Sequence, residues 1–179
     1  MDETMNEQTS STLAGRCARA WRHLCSTSSA GRRAFPPATL AAIEAAIGAG
    51  EQRHRAEIRL IVEAALPLAA AFDNLSNRAR ARQLFAQYGL WDTEENCGVL
   101  VYINLAEQAV DIVADRNAGR SVAAADWQDV CARLTGGFAR GDFHDSTLAA
   151  LERLNALLLQ HFPADGARPN QLPNNAIIL

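Results

Sequence analysis

The chain has 179 residues, 49% of them hydrophobic, and a formal net charge of −3. That size and composition suit one domain with a sizeable core and exclude a disordered chain, and the mild acidity excludes a global basic field for nucleic acid. All 17 basic residues are Arg and Lys is absent, which excludes any mechanism built on a Schiff-base or phosphate-binding Lys.

Residues 1–12 are polar and predict no fixed structure. Leu13 to Cys25 predicts a short helix, with Leu13, Cys17, Ala20, Trp21 and Leu24 at helical spacing and Arg16, Arg19 and Arg22 opposite. Docking of its apolar face on the domain is expected, because Trp21 and Leu24 are otherwise stranded in water. "STSSAGRR" reads as a linker. Pro36-Pro37 opens a helix expected to reach about His54, with Leu40, Ile43, Ala46 and Ile47 on one face. "EIRLIVEAAL" alternates: Ile58, Leu60 and Val62 on one side, Arg59, Ile61 and Glu63 on the other. This is a strand with some polar exposure, ended by Pro67. Ser76 caps a helix over Asn77 to Tyr88, with Arg78, Arg80 and Arg82 outward, and Gly89 closes it.

"NCGVLVYINLAEQAVDIVADR", from Asn96 to Arg116, holds a strand apolar enough to be buried on both faces. The connection to the next strand is too short for a helical crossover, so the two form an antiparallel hairpin. Two helices follow. Ser121 to about Ala139 carries Trp127, Val130, Cys131, Leu134 and Phe138. The last, capped by Asp145 or Ser146, carries Leu148, Leu151, Leu154, Leu158 and Phe162 and stops at Pro163. The tail is extended, and its "AIIL" end is expected to pack on the domain. The order of elements predicts an α/β fold, a three-layer α/β/α sandwich whose mixed central sheet contains the hairpin. Residues 1–35 form an extension, 36–164 the domain and 165–179 a tail.

The most apolar run, "LIVEAALPLAAAF", is broken by Glu63 and Pro67 and falls short of the roughly 20 residues of a membrane span. The opening residues are acidic, unlike a signal peptide, so a cytoplasmic location is expected. The four cysteines show no C-x-x-C pair and read as free thiols in a reducing compartment.

Polar residues gather at the outer ends of the hairpin. Asp92, Glu94 and Glu95 precede its first strand and Asp115 follows its second, so the hairpin places them at one rim. Convergent carboxylates there would bind Ca²⁺ or Mg²⁺; the competing reading is solvated turns, with Asp115 paired to Arg116 or Arg120. Asn96 and Arg116 border the same rim. His54 and Glu57, three residues apart before the alternating strand, form a base or ligand pair, or an orienting hydrogen bond at the strand's mouth. Asp142, His144 and Asp145 form a second polar cluster, read as a helix cap by Asp145 against a nucleophile and base that would need a further partner. No nucleophile elbow, C-x₅-R or D-x-D-x-T motif is present.

The motifs at His54 to Glu57, Gly89 to Trp91, Asn96 to Leu100 and Ile112 to Arg116 together resemble the TPM domain family. Trp127 and "GDFHDSTLAAL" fit its later helices, and the likeness covers about Ala38 to Pro163. The resemblance implies an α/β/α sandwich. Long members carry a signal peptide and a membrane anchor; this chain looks like a short soluble cytoplasmic branch. Some members are described as acid phosphatases, some bind calcium, and others serve in photosystem repair or receptor assembly. Two departures stand out. Asn96-Cys97-Gly98 replaces the family's Asp-Asn-Gly, and Asn117 follows Arg116 where members often have Gly. The loss of charge at Asn96 and the Cys at position 97 weaken a site for a hard cation. The expectation is a non-enzymatic binding or accessory module, with Ca²⁺ or Mg²⁺ or no cofactor, acting with a membrane-associated or operon-encoded protein. A metal-assisted acid phosphatase is the alternative.

Overall fold

A computed structural model describes residues 15–24, 28–166 and 170–179. Its helices are α1 (15–24), α2 (Ser28–Ala34), α3 (Pro37–Glu51), α4 (Leu68–Phe72), α5 (Asn77–Gln87), α6 (Arg116–Ser121), α7 (Ala124–Ala139) and α8 (His144–His161). Its strands are β1 (Glu57–Glu63), β2 (Gly98–Asn104), β3 (Ala109–Ala114) and β4 (Ile177–Ile178), in the order β3-β2-β1-β4. β1 runs parallel to β2 and to β4, and β2 pairs antiparallel with β3, from Val99 opposite Ala114 to Asn104 opposite Ala109. The expected hairpin and the mixed sheet are therefore both present.

Helices cover both faces. Ile58, Leu60 and Val62 join Val99, Val101 and Ile103 beneath α3, α7 and α8. On the opposite face Ile61, Leu100, Tyr102 and Val113 meet Ala81 and Leu84 of α5. Strands enclosed on both sides lose contact with water along their whole length, and all seven residues of β1 and all seven of β2 are buried. For β1 this corrects the expected polar exposure. Glu57, Arg59 and Glu63 lie on the α5 face and are buried with partners. Glu63 accepts from Arg80 (2.7 Å) and from the Tyr102 hydroxyl (2.6 Å).

Other departures have local causes. Arg80 was expected outward, yet it turns inward because a buried carboxylate needs a cation. Arg78 likewise reaches the Ile112 carbonyl and Asp111. The "linker" contains helix α2. α3 ends at Glu51, three residues early, and α4 and α6 were not foreseen. The last helix is capped by Asp142, whose Oδ1 accepts from the Asp145 and Ser146 amides at 3.1 and 3.4 Å, not by Asp145 or Ser146. Ser76 does cap α5, its Oγ accepting from the Ala79 amide at 3.1 Å.

α1 docks by its polar side. His23 is buried; its Nδ1 accepts from the Leu66 amide (3.0 Å) and its Nε2 meets Glu107 at 3.0 Å. Arg19 binds the same carboxylate and the Leu75 carbonyl. Trp21 and Leu24 stay 66% and 54% exposed, against expectation. The residues at 1–14 and 25–27, including Leu13 and Cys25, lie outside the described ones.

Candidate functional site at the amino-terminal rim of the sheet

The rim comprises the start of β1, the start of β2 and the end of β3. Residues 92–97 form a tight loop before β2. Cys97 donates its amide to Thr93 Oγ1 (3.1 Å) and its thiol to the Glu95 carbonyl (3.3 Å). Gly98 lets this loop pass beneath the preceding turn: a Cβ there would stand 1.9 Å from the Leu90 carbonyl oxygen. The end of β3 is laced to the loop. Asp115 donates its amide to the Gly98 carbonyl (2.8 Å), and Asn117 donates its own to Asn96 (3.1 Å) and its side-chain amide to Glu95 (3.1 Å). The two ends predicted to lie side by side do so.

Their carboxylates take separate paths. Glu95 is drawn to Arg55, whose Nη1 lies 2.8 and 2.7 Å from its two oxygens. Asp115 is 9% exposed and caps α6, its Oδ1 accepting from the Arg116 amide at 2.7 Å. Its Oδ2 is buried and has no hydrogen-bond partner among the described residues. Asp92, Glu94, Asn96 and Arg116 are exposed. Among the described residues no three of His, Cys, Asp and Glu gather closely enough to hold a metal ion. Burial, with the Glu95 charge beside it, pushes the Cys97 thiol up to about 11, so a thiolate is disfavoured there.

His54 and Glu57 lie on a polar cleft of about 680 Å³ that also takes in Glu51, Arg55 and Gln171. His54 is buried, with Nδ1 3.1 Å from the Ala56 carbonyl and Nε2 3.1 Å from Asn155 Oδ1. Asn155 is held in turn by the Ala46 carbonyl (3.0 Å). It reaches His54 across Gly50, where a Cβ would lie 2.1 Å from its oxygen. Burial lowers the His54 pKa below its ordinary value against these hydrogen bonds. Glu57 accepts from the Gln171 and Leu172 amides at 3.2 Å each, and burial raises its pKa.

Glu51 was not singled out from the sequence, where it reads as one more acid near a helix end. It accepts from the Ile58 amide at 2.8 Å. Burial first, then the nearby Glu57, pushes its carboxyl up to about 8 against that hydrogen bond. The cleft therefore holds a carboxyl that burial keeps protonated above the ordinary carboxylate range.

A profile of the TPM domain matches residues 31–157, and the chain belongs to the TPM domain family. Its fold is similar to the NMR structure of BA42 protein from the psychrophilic bacterium Bizionia argentinensis. The TM-score is 0.71 at 22% identity, over 80% of this chain and 94% of that one. No curated protein matches the chain. No helix among the described residues is long and apolar enough to cross a membrane.

Proposed function

We propose that this TPM domain is a non-enzymatic binding module whose working surface is the amino-terminal rim of the sheet, serving a membrane-associated or operon-encoded protein. One observation carries the reading: four of the groups a hydrolase would use at this rim are engaged in holding the fold, and the exposed Asp92 and Glu94 join no cluster of metal-ligating side chains among the described residues. His54 is enclosed with both ring nitrogens at oxygen acceptors, Glu95 is paired to Arg55, Cys97 is a buried thiol, and Asp115 caps a helix. A general base or nucleophile must reach the reacting atom, and these do not face open solvent together. Incubation with an aryl phosphate and Ca²⁺, Mg²⁺ or Mn²⁺, from acid to neutral pH, is expected to show no turnover above the protein-free blank. Turnover that Asp115→Asn abolishes would replace this reading with the metal-assisted phosphatase.

A divalent cation is favoured by one feature, the buried and unpartnered Oδ2 of Asp115, since a buried carboxylate oxygen without a donor is costly. A cation bound there raises the melting temperature by mass action. The rise is expected to vanish with chelator and in Asp115→Asn; equal melts in all conditions would remove the cation from the reading.

A further inference from the structure

The reading as a binding module leaves open what is bound. Resting on that reading, we infer that the outer edge of β1 is a docking groove for an extended partner segment, filled here by residues 170–179 of the chain itself as a displaceable clasp.

β1 shares a full seven-residue ladder with β2, but among the described residues only Ile61 and Val62 are paired on its other edge, with Ile177 and Ile178. Over the first half of β1 the clasp is held by side chains. Glu57 accepts from the amides of Gln171 and Leu172. Arg59 donates to the carbonyls of Pro173 and Asn175 and to the Asn175 side chain. Both are only 6% exposed, and buried charges are retained only where partners meet them. Among the described residues every side-chain hydrogen bond of Glu57 and Arg59 runs to this segment. Two buried charges of opposite sign on one strand thus form a receptor for an extended main chain, one reading its amides and the other its carbonyls.

What fits the groove is visible in what fills it. The contacts are main-chain donors at 171 and 172, acceptors at 173 and 175, and two aliphatic side chains pairing in parallel with β1. Recognition through the main chain tolerates sequence change, while the aliphatic pair supplies the selection. Ile178 lies against the α2 backbone, 3.3 Å from where a Cβ on Gly31 would stand. The partner chemistry is therefore an extended segment carrying two consecutive aliphatic residues.

The clasp's main-chain ladder is short. It spans two residues, Ile177 and Ile178 are part-exposed, and beyond it the Leu179 amide donates to the Val62 carbonyl at 2.9 Å while the Ala64 amide reaches the Leu179 carbonyl at 3.4 Å. Gln171 and Asn174 also form one wall of the polar cleft, so departure of the clasp opens the cleft beside Glu51 and His54.

The test uses the full chain, ¹⁵N-labelled, titrated with a synthetic peptide of residues 170–179 and with a scrambled control. The expected result is that the amide signals of residues 171, 172 and 179 move to unstructured positions while those of the β1–β2 ladder stay. Full-length Ile177→Asp/Ile178→Asp, whose own clasp competes less, should bind the peptide about tenfold tighter than the unaltered chain. No displacement together with no gain in the double variant overturns the groove. Hydrogen exchange on the unaltered chain decides independently of that variant's folding. Clasp amides that open well before the β1–β2 ladder support a separable clasp, and clasp amides that open only with the ladder overturn it. The peptide result stands apart from the enzymatic question: phosphate turnover would remove the module reading and leave the groove intact, and an inert peptide would do the reverse.

Discussion

Gly98 shows how one absent side chain sets the candidate site. The Leu90 carbonyl passes 1.9 Å from where its Cβ would be, and backbone cannot yield as a side chain can. Gly98→Ala is expected to cost about 3 kcal/mol in chemical denaturation and to disturb the loop that carries Glu95 and Asn96. Glu51 makes a different prediction. Its folded pKa of about 8 lies above the ordinary 4.5, so the folded state holds the extra proton between those values. Its contribution to stability is complete below pH 4.5 and is lost as pH rises towards 8. Glu51→Gln should flatten that fall, read as melting temperature against pH. Asp115 was legible as a rim residue from the hairpin alone. Its capping of α6 was not, because α6 is a six-residue helix with no apolar stripe to betray it.

At the scale of elements, the apolar periodicity of α1 pointed to the wrong docking face. The side that carries Arg19 and His23 is the buried one, because Glu107 on the β2–β3 turn offers a fixed anion to both. Burial opposes the charge on Glu107, but hydrogen bonds from Arg19, His23 and Asn77 bring its carboxyl down to about 2. The stability it gives is therefore present above the ordinary carboxylate value and lost as pH falls through about 4.5 towards 2. Glu107→Gln is expected to loosen α1 while the sheet persists, seen as faster tryptic cleavage after Arg16, Arg19 and Arg22 with unchanged core hydrogen exchange. Periodicity did reveal α3, α5, α7 and α8, each long enough for its pattern to exceed chance. It missed α4 and α6, at five and six residues, because so few positions define no face.

For the whole molecule, the layers followed from two features of the sequence: a strand apolar on both sides and a connection too short to cross over. The alternation in β1 assigned its two faces correctly, yet it implied water where α5 and the clasp lie. Burial of Glu57, Arg59 and Glu63 depends on segments distant in sequence, and no local pattern announces them. The same holds for the rim. Adjacency of its two loops was readable from the hairpin, while the direction of each carboxylate was set by Arg55 and by a helix amide.

The placement of the indoles has an optical consequence. Trp21 on α1 and Trp91 before the rim loop are 66% and 58% exposed, and Trp127 on α7 is only part-buried. The native protein should emit at long wavelength, close to its denatured spectrum, so intrinsic fluorescence will follow unfolding poorly. The same property makes it a sensitive reporter of docking, because a partner covering α1 or the rim would move an indole out of water and shift the emission to the blue.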